Sequence, residues 1–76
     1  MLDVEKEWSD RVRTLLRTEL ARREVSYVEL AERLGRLGIE ETPKNLSNKI
    51  AKGKFSAAFF FQCMAAIGTT VHLDDA

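Results

Sequence analysis

Val4, Trp8, Val12, Leu15, Leu16 and Leu20 recur at helical spacing, with Glu, Asp and Arg between them. That pattern predicts a first amphipathic helix over about residues 4–23. Ser26 then opens a second helix, over about 27–37, with Glu29 three residues on to complete a capping box and Val25 and Leu30 placed to staple its start. Its apolar face is Tyr27, Leu30, Ala31, Leu34 and Leu37, and the glycines at 35 and 38 offer two alternative stops. Ile39-Glu40-Glu41 reads as a connection.

Thr42-Pro43 reads as an N-cap followed by proline at the first helical position, where its missing N–H is no loss. A third helix is expected over about 43–52, with Gly53 ending it. Phe55-Ser56 starts a fourth by the same logic, over about 57–67, Ser56 capping and Phe55 able to staple against Phe60. Phe59, Phe60, Cys63, Met64 and Ile67 form its core face, and Gly68 closes it. The tail, 69–76, is β-branched and short at Val71-His72-Leu73 and is expected to be extended there and frayed at the end. The expectation is a single all-α domain over 1–76, four helices and a short tail.

Composition adds that the core is small. Seventy-six residues with 45% apolar and 8% aromatic residues leave a thin stability margin, for which pairing with a second copy is a natural remedy. No run approaches a membrane span, and the first residues lack a basic start and apolar centre, so a cytoplasmic protein with no membrane association is expected. Cys63 and His72, the single cysteine and single histidine, exclude an internal disulfide and give no zinc-ligand spacing. No convergent catalytic set and no phosphate-binding glycine loop appear, which points to a non-enzymatic protein without cofactor or metal.

Charge changes the picture more. The formal net charge is zero, yet residues 1–10 sum to −3, residues 11–54 to +5 and residues 55–76 to −2. Within 42–54 lie four lysines and no acid. On a helical wheel Pro43, Leu46 and Ile50 fall on one side and Lys44, Asn45, Asn48 and Lys52 on the other, with Ser47 and Lys49 at the flanks. Lysine neutralises phosphate or reaches guanine acceptors, and asparagine pairs in bidentate fashion with adenine, so this face suits a DNA major groove. The candidate DNA-binding residues are Thr42, Lys44, Asn45, Ser47, Asn48, Lys49, Lys52 and Lys54. The plain alternative is a solvated lysine-rich face.

Leu30-Ala31-Glu32-Arg33-Leu34-Gly35, followed by Lys-Ile-Ala-Lys-Gly-Lys at 49–54 and an apolar helix ending Ala66-Ile67-Gly68, resembles the lambda-repressor-like (Xre-type) helix-turn-helix family over roughly residues 12–68. In that family the second helix commonly reads Leu-Ala-x-x-Leu-Gly, with the alanine at the helix crossing and the glycine at the turn, and Ala31 and Gly35 occupy those positions. The basic-Gly-basic end of the recognition helix is matched by Lys52-Gly53-Lys54. The resemblance implies a DNA-binding unit made of the second and third helices, the third in the major groove of double-stranded DNA, and a transcriptional regulator. This chain departs from the family pattern in two places: fifteen positions separate Gly35 from Ile50, several more than the compact motif has, and Leu46 precedes Ile50 by four where three is usual.

Arg11, Arg13, Arg17, Arg22 and Arg23 are expected either in helical pairs with acids such as Glu7 and Asp10 or, for Arg22, Arg23, Arg33 and Arg36, against flanking phosphates. Phe61 points roughly 130° from the middle of the fourth helix's core face, which makes it a rim residue or a homodimer contact. Val71 to Leu73 offer a second, strand-like dimer contact. A competing reading keeps the scaffold but gives the basic face to a protein partner, as in an adaptor or antitoxin-like module.

Overall fold

The computed structural model describes residues 3–70. Four helices account for the regular structure among them: α1 (Val4–Arg22), α2 (Tyr27–Arg36), α3 (Pro43–Lys52) and α4 (Ala57–Ala66), with no strand. The expected all-α architecture therefore stands, each helix end falling within about a residue of its predicted position. Val71 to Leu73, with the rest of the tail from 71, lie outside the described residues.

Each start is fixed by an oxygen taking up an otherwise unpaired helix N–H. Asp3, Ser26, Thr42 and Ser56 accept from the backbone N–H of Lys6, Glu29, Asn45 and Phe59 at 3.0–3.1 Å. The reciprocal half of the capping box at Ser26 is absent, because the Glu29 carboxylate turns forward to accept from Arg33 at 3.1 Å. Phe55 meets Phe59, ring centroids 5.3 Å apart, rather than stapling to the expected Phe60.

The end of α2 settles the choice between glycines. Gly38 N–H donates to Gly35 O and Ile39 N–H reaches back to Leu34 O, the two bonds of a Schellman turn, with Gly38 at φ 84°. Gly35 stays within the helix, and a Cβ there meets nothing within 4 Å. Gly35→Ala is accordingly expected to stabilise the domain by about 0.5–1 kcal/mol, read as a higher urea midpoint. A lower midpoint would show a constraint at Gly35 that packing does not explain.

The core is one cluster drawn from all four helices, with Leu16, Leu30, Leu34, Leu46, Ile50 and Cys63 fully buried and Leu20, Val25, Phe59, Met64 and Ile67 around them. Several predicted core positions are not in it. Val4, Trp8 and Leu15 on α1 are exposed, as are Leu37 and Pro43. The physical reason is that α1 meets the body only along the side of Leu16 and Leu20, so a wide apolar stripe is only partly covered. Ile39, in the connection, instead packs against the core.

Candidate nucleic-acid interface

Helix α3 is held from two sides. Its inner face, Leu46 and Ile50, is fully buried against α2 and α1. Thr42, Lys44, Asn45, Ser47, Asn48, Lys49, Lys52 and Lys54 are all exposed, so the eight predicted site residues share the outer side of one element and its two ends. Its first turn carries no acid; Pro43 brings no N–H there, and Thr42 takes up those of Asn45, through its hydroxyl, and Leu46, through its carbonyl.

Gly53 sets where α3 ends. It is buried at φ 64°, and a Cβ there would lie 2.7 Å from the Ser9 carbonyl oxygen of α1. Arg13 of α1 donates to the Ala51 carbonyl at 2.9 Å, taking up one of the carbonyls left unpaired at the α3 C-terminus. Close backbone approach and one guanidinium bond thus pin the end of α3 to the middle of α1.

The connection before α3 follows the turn that ends α2 and carries Glu41. Glu41, its side chain nearly buried, accepts from Lys49, and the Lys49 ammonium also lies 4.8 Å from the Phe59 ring centroid. Lys49 is therefore committed to the protein itself. Lys52 and Lys54 border a polar cleft of about 320 Å³ with Asp3, Glu5, Lys6, Ser9, Asp10 and Arg13. Asp10 stays charged there, its carboxyl held below the ordinary range by the hydrogen bond from Lys6 and by the nearby charges of Lys6 and Arg13.

The outer face of α3 is thus unequal along its length. Lys44 and Asn48 line neither that cleft nor the depression at the helix start, whereas Asn45 has Glu40 and Glu41 for neighbours and Lys52 and Lys54 have Asp3, Glu5 and Asp10. Among the described residues no carboxylate bonds to Lys44, Lys52 or Lys54. That depression is lined by Ala31, Gly35, Ile39, Glu40, Glu41, Thr42 and Asn45, so the two small residues of α2 lie next to the start of α3.

The arginines named as flanking contacts divide. Arg33 donates to Ala66 O at 3.4 Å and to Glu29, and Arg23 to Ile67 O at 3.3 Å and to Glu19, so both tie their helices to the end of α4. Arg22 pairs with Glu19 at 2.9 Å. Arg36 is exposed and, among the described residues, unpaired. The structural use of Arg13, Arg23 and Arg33 is absent from the sequence reading because their carbonyl partners lie 33–44 residues away, with no local signal.

Cys63 is fully buried, and burial, with the Glu41 carboxylate adding and Lys49 opposing, pushes its thiol up to about 12. A thiol that ionises later in the folded than in the unfolded chain stabilises the fold below its unfolded pKa. That stability is lost as pH rises from about 9 toward 12, at about 1.4 kcal/mol per pH unit. Urea titrations between pH 8 and 10.5 should show this decline in the wild type and a shallower one in Cys63→Ala; equal slopes would refute it. No group of three or more metal-capable side chains gathers among the described residues.

A family model matches residues 8–71, spanning all of α2, α3 and α4 and most of α1. The chain belongs to the DUF6471 family. That family is described as a domain of unknown function. No curated protein and no solved structure matches the chain. The DUF6471 match takes in every residue of the candidate interface, including Gly53 and the Glu41–Lys49 pair. No helix of this DUF6471 chain is long and apolar enough to cross a membrane, among the described residues.

Proposed function

We propose that this domain binds double-stranded DNA sequence-specifically, as a transcriptional regulator of the helix-turn-helix type, by setting the outer face of α3 in the major groove. The observation that carries this reading is the acid-free outer face of a rigidly seated helix, with Lys44, Asn45, Ser47, Asn48 and Lys52 exposed together. Lys44 and the helix start favour phosphate, Asn45 and Asn48 suit base edges, and Lys52 and Lys54 suit the next phosphates along. The packing of α2 across α3, with Ala31 and Gly35 beside Thr42 and Asn45, supports the comparison with helix-turn-helix proteins. The longer connection is accommodated by the Schellman turn at Gly38 and by Ile39 folding onto the core.

A second reading, a protein-interaction module using the same face, is favoured by the Glu41–Lys49 pair and the acids beside Lys52 and Lys54, which reduce the net positive field. Binding of the purified protein to a random duplex pool separates the two: enrichment of one motif supports DNA recognition, and no retention of DNA at low salt removes it.

A further inference from the structure

On α1 the residues left outside the core form a line. Val4, Trp8, Arg11, Leu15 and Thr18 are spaced alternately four and three apart, the repeat that keeps one seam of a helix facing a partner helix. Val4, Trp8 and Leu15 are 59%, 58% and 49% exposed, and together with Leu37, Val28 and Phe61 they are the large apolar side chains left in solvent among the described residues. The Arg11 guanidinium sits 4.8 Å from the Trp8 ring centroid and pairs with Glu7 at 3.0 Å, so the charge within the seam is already balanced. Beside Leu15 the surface dips into a depression of about 220 Å³ lined by Leu15, Glu19, Phe60, Met64, Thr69 and Thr70.

The charge on the same helix is graded. Residues 3–10 hold four acids and one lysine, and residues 11–22 hold four arginines and one glutamate. Two α1 helices laid parallel would set like on like. Laid antiparallel, each acidic half faces a basic half, and the two helix dipoles also oppose.

We infer that the α1 seam is the contact surface for a second copy of this chain, packed antiparallel about a two-fold axis near Arg11. The pairing sets each Trp8 against the partner's Leu15 and over the dip formed with Phe60 and Met64. A self-complementary patch of this kind is what a two-fold dimer requires. An indole entering an apolar depression is the kind of anchor that dominates such interfaces. The inference moves the dimer contact expected at Phe61 or Val71–Leu73 to the opposite end of the chain, and it does not depend on DNA binding.

Sedimentation equilibrium of the full chain without DNA tests it. The wild type is expected to be a dimer, and Trp8→Glu and Leu15→Glu are each expected to raise the dissociation constant at least about 30-fold with helical content unchanged. Phe61→Glu is expected to leave it unchanged. Orientation is read in a Cys63→Ala background: Arg11→Cys forms a disulfide-linked dimer under mild oxidation and Thr18→Cys does not, since two antiparallel copies hold residue 18 about 20 Å apart. A monomeric wild type, a dimer broken by Phe61→Glu but not by the α1 changes, or efficient linkage through residue 18 would each overturn the proposal.

Discussion

Reversing Lys44 and Lys52 to glutamate is expected to abolish binding to duplex DNA and to leave helical content and melting behaviour close to wild type. Both side chains are exposed, neither bonds to a carboxylate among the described residues, and neither contributes to the core. Surface changes of this sort usually move stability by no more than about 0.5 kcal/mol. Their effect on a phosphate-facing surface is far larger, since each reversal removes a cation and places an anion against the backbone. With about four phosphate contacts per protomer, a dimer loses affinity with salt at a log–log slope of roughly −7. Reversing two of the four removes most of the electrostatic attraction. The choice of residues matters: Lys49→Glu would set a second carboxylate against Glu41 and under-pack the Phe59 ring, confusing loss of binding with loss of fold. Asn45→Ala and Asn48→Ala complete the test, because a base-reading asparagine costs about 1–3 kcal/mol of discrimination without changing the salt slope.

The second large effect is on stability. Gly53→Ala is expected to destabilise the domain by about 2–4 kcal/mol, combining a non-glycine residue held in left-handed geometry with overpacking at a closed contact. The contact is closed because the atom in the way is the Ser9 carbonyl oxygen, 2.7 Å from the added Cβ, and backbone of α1 yields far less readily than a side-chain tip. For a chain of 76 residues that loss is a large share of the total. The consequence reaches the candidate interface, since relief of the clash requires the end of α3 to lift from α1 and strains the Arg13 bond to Ala51. Chemical denaturation of Gly53→Ala beside Gly35→Ala checks the point: the first should lower the urea midpoint sharply and the second raise it slightly. A Gly53→Ala protein as stable as wild type would show that α3 is not seated by this contact.

The helices were legible in the sequence because their ends are chemical: Ser26, Thr42 and Ser56 can take a helix N–H, and glycines 38, 53 and 68 supply the left-handed residue after the last turn. Periodicity found Leu46 and Ile50 but overcalled Val4, Trp8 and Leu15, because an apolar stripe does not reveal whether the body of the protein or another molecule covers it. The candidate face on α3 was legible for the same reason its core side was, the wheel dividing both at once. What escaped was long-range: the acids of α1 beside Lys52 and Lys54, and three arginines turned to distant helix-end carbonyls. Each depends on how helices cross, which no local spacing encodes.

The most direct measurement is binding of purified protein to a random duplex pool, followed by anisotropy titration of the enriched sequence at about 50 and 200 mM salt for the wild type and the Lys44→Glu/Lys52→Glu variant. The account predicts one enriched motif, an affinity that falls steeply between the two salt concentrations, and no binding by the folded variant. Failure to bind any duplex at the lower salt, or equal binding by wild type and variant, would contradict it.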